Sequence, residues 1–92
     1  MAVVGDRIAE RAAEDFGRAA PRVVSALERL AVSPGADLER IQAAVLLSAR
    51  RDLSLFEDAL EHAVEDWRDL LDRAGLAGAD WAARLDDELG RV

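Results

Sequence analysis

The chain has 92 residues, 51% of them apolar and 34% charged, with no Cys, Lys, Tyr, Thr or Asn. That length carries one domain and one core, the apolar content excludes a disordered chain, and no apolar run approaches a membrane span. Without Cys there are no thiolate metal sites, thiol nucleophiles or disulfides; without Lys there is no Schiff-base chemistry and no Walker-type phosphate lysine. The formal net charge is −7. All of it lies in residues 51–92, with twelve acids and five Arg, whereas residues 1–50 hold seven of each. An acidic half repels phosphate backbones, and Arg7, Arg11, Arg18, Arg22 and Arg29 are interleaved with acids instead of forming a patch. A protein partner with a basic surface is therefore expected, and nucleic acid is not. Residues 1–7 show no leader or lipidation motif, so a cytoplasmic chain without a membrane partner is expected.

Apolar residues recur at spacings of three and four and never alternate over strand length. The expected fold is all-α, a compact single-domain bundle of four to five helices over residues 1–92. The first helix runs from about residue 3 to 16, with Val4, Ile8, Ala12 and Phe16 on one face and Gly17 as its stop. Pro21 suits the first turn of a second helix, whose stripe is Val23, Val24, Leu27, Leu30 and Ala31. Ser33-Pro34-Gly35 is the clearest break. Asp37 caps a third helix from Leu38 to about Ala49, and Arg50-Arg51-Asp52 makes a tight connection. The fourth helix opens either on Asp52 as N-cap or on Ser54 with Glu57 as a capping box, and ends at Ala74 before Gly75. Asp80 caps a short fifth helix, Trp81 to Leu89, closed by Gly90.

On a helical wheel, Phe56, Ala59, Leu60, Ala63, Val64, Trp67, Leu70, Leu71 and Ala74 of the fourth helix share about 140° of arc. Its opposite side is charged. The predicted core is Ile8, Phe16, Val24, Leu27, Leu30, Leu38, Ile41, Val45, Phe56, Leu60, Ala63, Val64, Trp67, Leu71 and Leu85. The third helix is apolar all round, because Leu46 and Leu47 point away from the Ile41–Val45 face. Enclosed by helices 1 and 2, it allows a monomer. If it is peripheral, Leu46 and Leu47 form an exposed patch and a two-fold homodimer follows. The narrow, Ala-diluted stripes of helices 1 and 2 favour the dimer.

Chemistry has little to work with. Asp58, His62 and Asp66 follow at i, i+4 and i+8, with Asp69 at i+11, and this ridge is the one arrangement suited to a divalent cation or a small enzyme site. A charged solvent face explains the same residues, and Ala59 stands where a Glu would complete a Glu-x-x-His pair. No Ser lies in a nucleophile elbow, and the glycines punctuate helices instead of cradling phosphate. The expectation is a non-enzymatic interaction or accessory protein with no metal and no cofactor. Residues singled out for interaction are Leu46, Leu47, Asp66, Arg68, Asp69 and Trp81. Trp81 is read as a core anchor or, on the short terminal helix, as a partly exposed interface anchor, Asp66 as the partner of an Arg on a neighbouring helix, and Arg68 as the partner of Glu65 or Glu61.

Arg40-Ile41-Gln42-Ala43-Ala44-Val45-Leu46, then Asp52-Leu53 and Asp66-Trp67-Arg68-Asp69-Leu70-Leu71, resembles a group of small bacterial all-helical proteins. These carry Arg-(Ile/Val)-Gln-x-Ala-(Ile/Val)-Leu-Lys-Leu, a Gly-Asp step, and Asp-(aromatic)-Arg-Asp-(Val/Leu)-Leu. The chain departs from that pattern at Leu47, Ser48 and Arg51. The resemblance covers residues 40 to about 76 and implies a helical hairpin. It brings no activity, so no site residue follows from it.

Overall fold

The structure, a computed structural model, describes residues 3–30 and 37–90. Five α-helices follow in order among them: α1 (Asp6–Phe16), α2 (Ala20–Glu28), α3 (Leu38–Ala49), α4 (Leu53–Ala74) and α5 (Trp81–Leu89). Gly17–Ala19 forms a 3-10 turn between α1 and α2. The architecture is all-α, one compact bundle around one core. Ala31 and the Ser33-Pro34-Gly35 break lie outside the described residues.

Local chemistry fixes most of the boundaries. Gly17 ends α1 with a positive φ of 51°, its N–H reaching the Ala13 carbonyl. Asp37 accepts the Arg40 N–H at 3.0 Å and so caps α3. Asp52 accepts the Leu55 N–H at 3.0 Å, which decides the start of α4 in favour of Asp52 over Ser54. Gly75, at φ 79°, closes α4 in the left-handed conformation that spares a glycine any Cβ clash. Asp80 precedes α5, but its side chain makes no cap bond and pairs instead with Arg84 Nε at 3.1 Å. Between α3 and α4, Arg50 and Arg51 both take positive φ, 50° and 64°, which lets three residues reverse the chain.

The third helix is central. Ile41 to Leu46, Ser48 and Ala49 are all buried within the single chain. α4 lies antiparallel along α3, as shown by Arg40 at the start of α3 donating to the Leu76 carbonyl beyond the end of α4 at 2.8 Å. Ala43 and Ala44 of α3, with Ala59 and Ala63 of α4, are buried residues whose small side chains permit close approach. α1 and α5 pack against α3 from other sides. The expectation of an exposed Leu46–Leu47 patch is thus corrected: Leu46 is fully buried and Leu47 half-buried. The enclosing element that sequence reasoning undervalued is α5 with the loop before it, which supplies buried Leu76 and Leu85. With Leu46 buried and Leu47 half-buried, α3 presents no open apolar face for a second copy among the described residues.

α4 is also not one straight cylinder. Asp66 has φ −157° and ψ 83°, far from helical values, so the helix breaks there. The Asp66 carboxylate accepts the Asp69 N–H at 3.2 Å, the bond by which an N-cap restarts a helix. Residues 53–65 and 67–74 are therefore two stacked segments. In the first, Phe56, Ala59 and Ala63 are buried, Leu60 is half-buried, and Val64 is 65% exposed. Val64 was expected in the core. The segment turns its Phe56–Ala59–Ala63 line to α3, which leaves Leu60 and Val64 on the flank beside α2. Phe16, Val24, Leu38 and Trp67 are half-buried at the core's edge, and Phe16 meets Phe56 edge-on at 5.7 Å between centroids.

Candidate interaction surface

Arg7, Arg11, Arg40 and Arg51 tie the helices together through carboxylates, backbone carbonyls and the Trp81 ring. The Arg7 guanidinium of α1 makes a two-pronged contact with Glu39 of α3, at 3.0 and 2.7 Å, and reaches Asp86 of α5 at 2.8 Å and the Gly90 carbonyl at 3.1 Å. Its hydrogen bonds with Glu39 and Asp86 push the Arg7 pKa further above its ordinary value, and the same bonds with Arg7 hold the Glu39 carboxyl below its own. Arg11 donates to Asp15 at 3.0 Å and to the Glu88 carbonyl at 2.8 Å, near the C-terminal end of α5. Asp15 is nearly buried and also faces Arg51 at 3.3 Å, which ties α1 to the α3–α4 connection. Arg40 lies 4.7 Å from the centre of the Trp81 ring. These contacts clasp α5 and the connection to the bundle. They are structural work.

The residues expected at an interaction site separate on this frame. Leu46 belongs to the core. Leu47 floors a small concavity between α3, α4 and α5, beside Ala74 and Arg84. Trp81 is half-buried beneath Arg40, an anchor of α5 to its own chain more than an outward one. Asp66 caps the second segment of α4 and has no arginine partner among the described residues. Arg68 lies 5.2 Å from the centre of the Trp67 ring, not against Glu65 or Glu61. Asp69 receives His62 Nε2 at 2.8 Å, a pair that spans the break.

The Asp58–His62–Asp66 ridge does not form as the continuous wheel implied. The break redirects Asp66 to its capping bond, and His62 engages Asp69 instead. Among the described residues, no three His, Asp or Glu side chains come together as a metal-ligand set. Among them, too, no helix is long and apolar enough to cross a membrane.

The α2–α4 flank is what sequence reasoning missed. Ala26 and Leu30 on the α2 side and Leu60 and Val64 on α4 line an apolar groove of about 470 Å³, with Glu61, Glu65 and Arg29 at its edges. The contacts advance in step: Arg22 meets Glu57 at 3.2 Å, and residues 26–30 then face 60–65. The two elements thus run side by side in one direction, bridged at one end by the Arg22–Glu57 pair. The missed signal was the cap: Asp66-x-x-Asp69 has the form of a helix start, and a break there stops residues 53–65 from sharing one face with 67–74.

No family model, curated protein or solved structure matches the chain.

Proposed function

We propose that the protein is a non-enzymatic interaction module whose α4 surface meets a basic protein partner. The observation that carries this reading is the state of the α4 carboxylates. Seven acids on this helix, Glu57, Asp58, Glu61, Glu65, Asp66, Asp69 and Asp72, are exposed. Glu57 and Asp69 are engaged by Arg22 and His62, and Asp66 by its cap. Asp58, Glu61, Glu65 and Asp72 have no cationic partner among the described residues. Clustered free carboxylates, in a chain of net charge −7, make a surface that accelerates encounter with a basic protein and rejects polyanions. Beside them lies the largest exposed apolar side chain of α4, Val64, and a recognition surface needs such an apolar centre as well as charge.

The test is affinity capture from native lysate at physiological ionic strength with the wild-type chain and with an Asp58→Asn, Glu61→Gln, Glu65→Gln variant. A protein bearing a basic patch, retained by the wild type and lost from the variant, is the expected result. Identical retention by both chains contradicts the reading.

A further inference from the structure

We infer that the α2–α4 groove seats one helix of the partner, an amphipathic helix with an aliphatic row, basic residues on one flank and an acidic residue on the other. This rests on the reading of the α4 surface as a protein-interaction site and says what fits it. The floor is two short rows, Ala26 with Leu30 and Leu60 with Val64, each spaced i, i+4. Each row is about 6 Å long, one helical turn, and matches an i, i+3/i+4 pair of aliphatic side chains on an incoming helix. Val64 is 65% exposed and is covered by nothing among the described residues, so its methyls are free to be buried by that pair.

The rim sets the direction and the charge. On the α4 side stand Glu61 and Glu65, also one turn apart, both exposed and without a cationic partner among the described residues. On the α2 side stands Arg29, exposed and without an acidic partner among them. A helix lying between them therefore carries Arg or Lys on its α4-facing flank, at a spacing of four, and a carboxylate on the flank facing Arg29. The Arg22–Glu57 pair, itself exposed, lies one turn before the lining residues on both elements. A second copy of this chain is a poor occupant. A two-fold axis across the groove would set Glu61 and Glu65 over the same pair of the other copy, and one along it would set these two acids over the single Arg29; in either case two chains of net charge −7 meet.

The experiment uses the full chain, labelled with nitrogen-15, and two synthetic 18-residue peptides of identical composition. One places a Leu pair at i, i+4 between an Arg flank and a Glu flank; the other scrambles that order. The proposal expects the first peptide to shift the amide signals of Ala26, Leu30, Leu60 and Val64, and the scrambled one to bind at least about tenfold more weakly. Val64→Gln, at an exposed position, should keep the helical spectrum and weaken the ordered peptide by about tenfold through loss of one aliphatic contact. Arg29→Glu should weaken it as well. If both peptides bind alike and Val64→Gln changes nothing, the groove proposal is overturned while charge-driven binding by α4 stands. If neither peptide binds even at low salt, both fail. A doubled mass for the free chain that Val64→Gln restores to that of one chain assigns the groove to a second copy and overturns the proposal.

Discussion

Replacing Arg7 by Met removes the charged head while keeping the apolar stem, so the loss isolates the clasp between α1, α3 and α5. Four hydrogen bonds disappear, two to Glu39, one to Asp86 and one to the Gly90 carbonyl. The Arg7 side chain is 13% exposed, but Glu39 and Asp86 are 39% and 40% exposed, so water can re-solvate both carboxylates once the arginine is gone. The cost therefore falls between the roughly 0.2–1 kcal/mol of an exposed pair and the roughly 3–5 kcal/mol of breaking a fully buried one, at about 2 kcal/mol. For a domain of this size that lowers the melting temperature by about 10 °C. A pH series adds a second signature. Arg7 holds the Glu39 carboxyl below its ordinary value. A carboxylate with a depressed folded-state pKa contributes stability that is fully present above its unfolded value, about pH 4.3, and is lost as pH falls through the folded one. The stability gap between wild type and Arg7→Met should thus be constant near neutrality and narrow below about pH 4. Chemical denaturation at pH 7 and pH 3 reads both. A gap under about 0.5 kcal/mol at pH 7, or one of equal size at pH 3, refutes the clasp.

Asp66→Ala should cost about 1 kcal/mol in urea denaturation through loss of the cap, and Asp66→Asn much less, since Asn caps as well as Asp. Leu46→Ala should cost at least about 3 kcal/mol because it empties a fully enclosed site, whereas Val64→Ala should stay within about 0.5 kcal/mol. Equal effects of these two would mean that the wheel, not the break, describes α4. Leu47→Glu should lower stability while light scattering returns the mass of a single chain. A mass that falls from two chains to one would restore the dimer.

The legible parts of this fold were those governed by local chemistry. Asp37, Gly17 and Gly75 announce helix ends by capping and left-handed turns, and the structure places them there. The all-round apolar character of residues 41–49 called for burial but not for burial by the same chain, and the expectation fell on a second copy, whereas the chain itself encloses this helix. What surrounds it was not legible, because α5 has one fully buried side chain, Leu85, and is secured by Arg7, Arg11 and Arg40, whose long-range partners carry no sequence periodicity. The site failed for a related reason. Periodicity treats residues 53–74 as rigidly phased, and one residue out of helical geometry at Asp66 removes that phasing. Val64 then leaves the core, and the groove exists only because α2 and α4 lie side by side without closing, a tertiary fact that no single segment encodes.

Photo-crosslinking in the native cell from a photoreactive residue at position 64, with position 87 on the exposed side of α5 as the comparison, tests most directly whether the α4 surface meets a protein partner. A discrete adduct with one protein is expected from position 64, diminished by Glu61→Gln with Glu65→Gln, and none from position 87. An adduct from position 87 alone, or one from position 64 that the charge changes leave untouched, contradicts that reading.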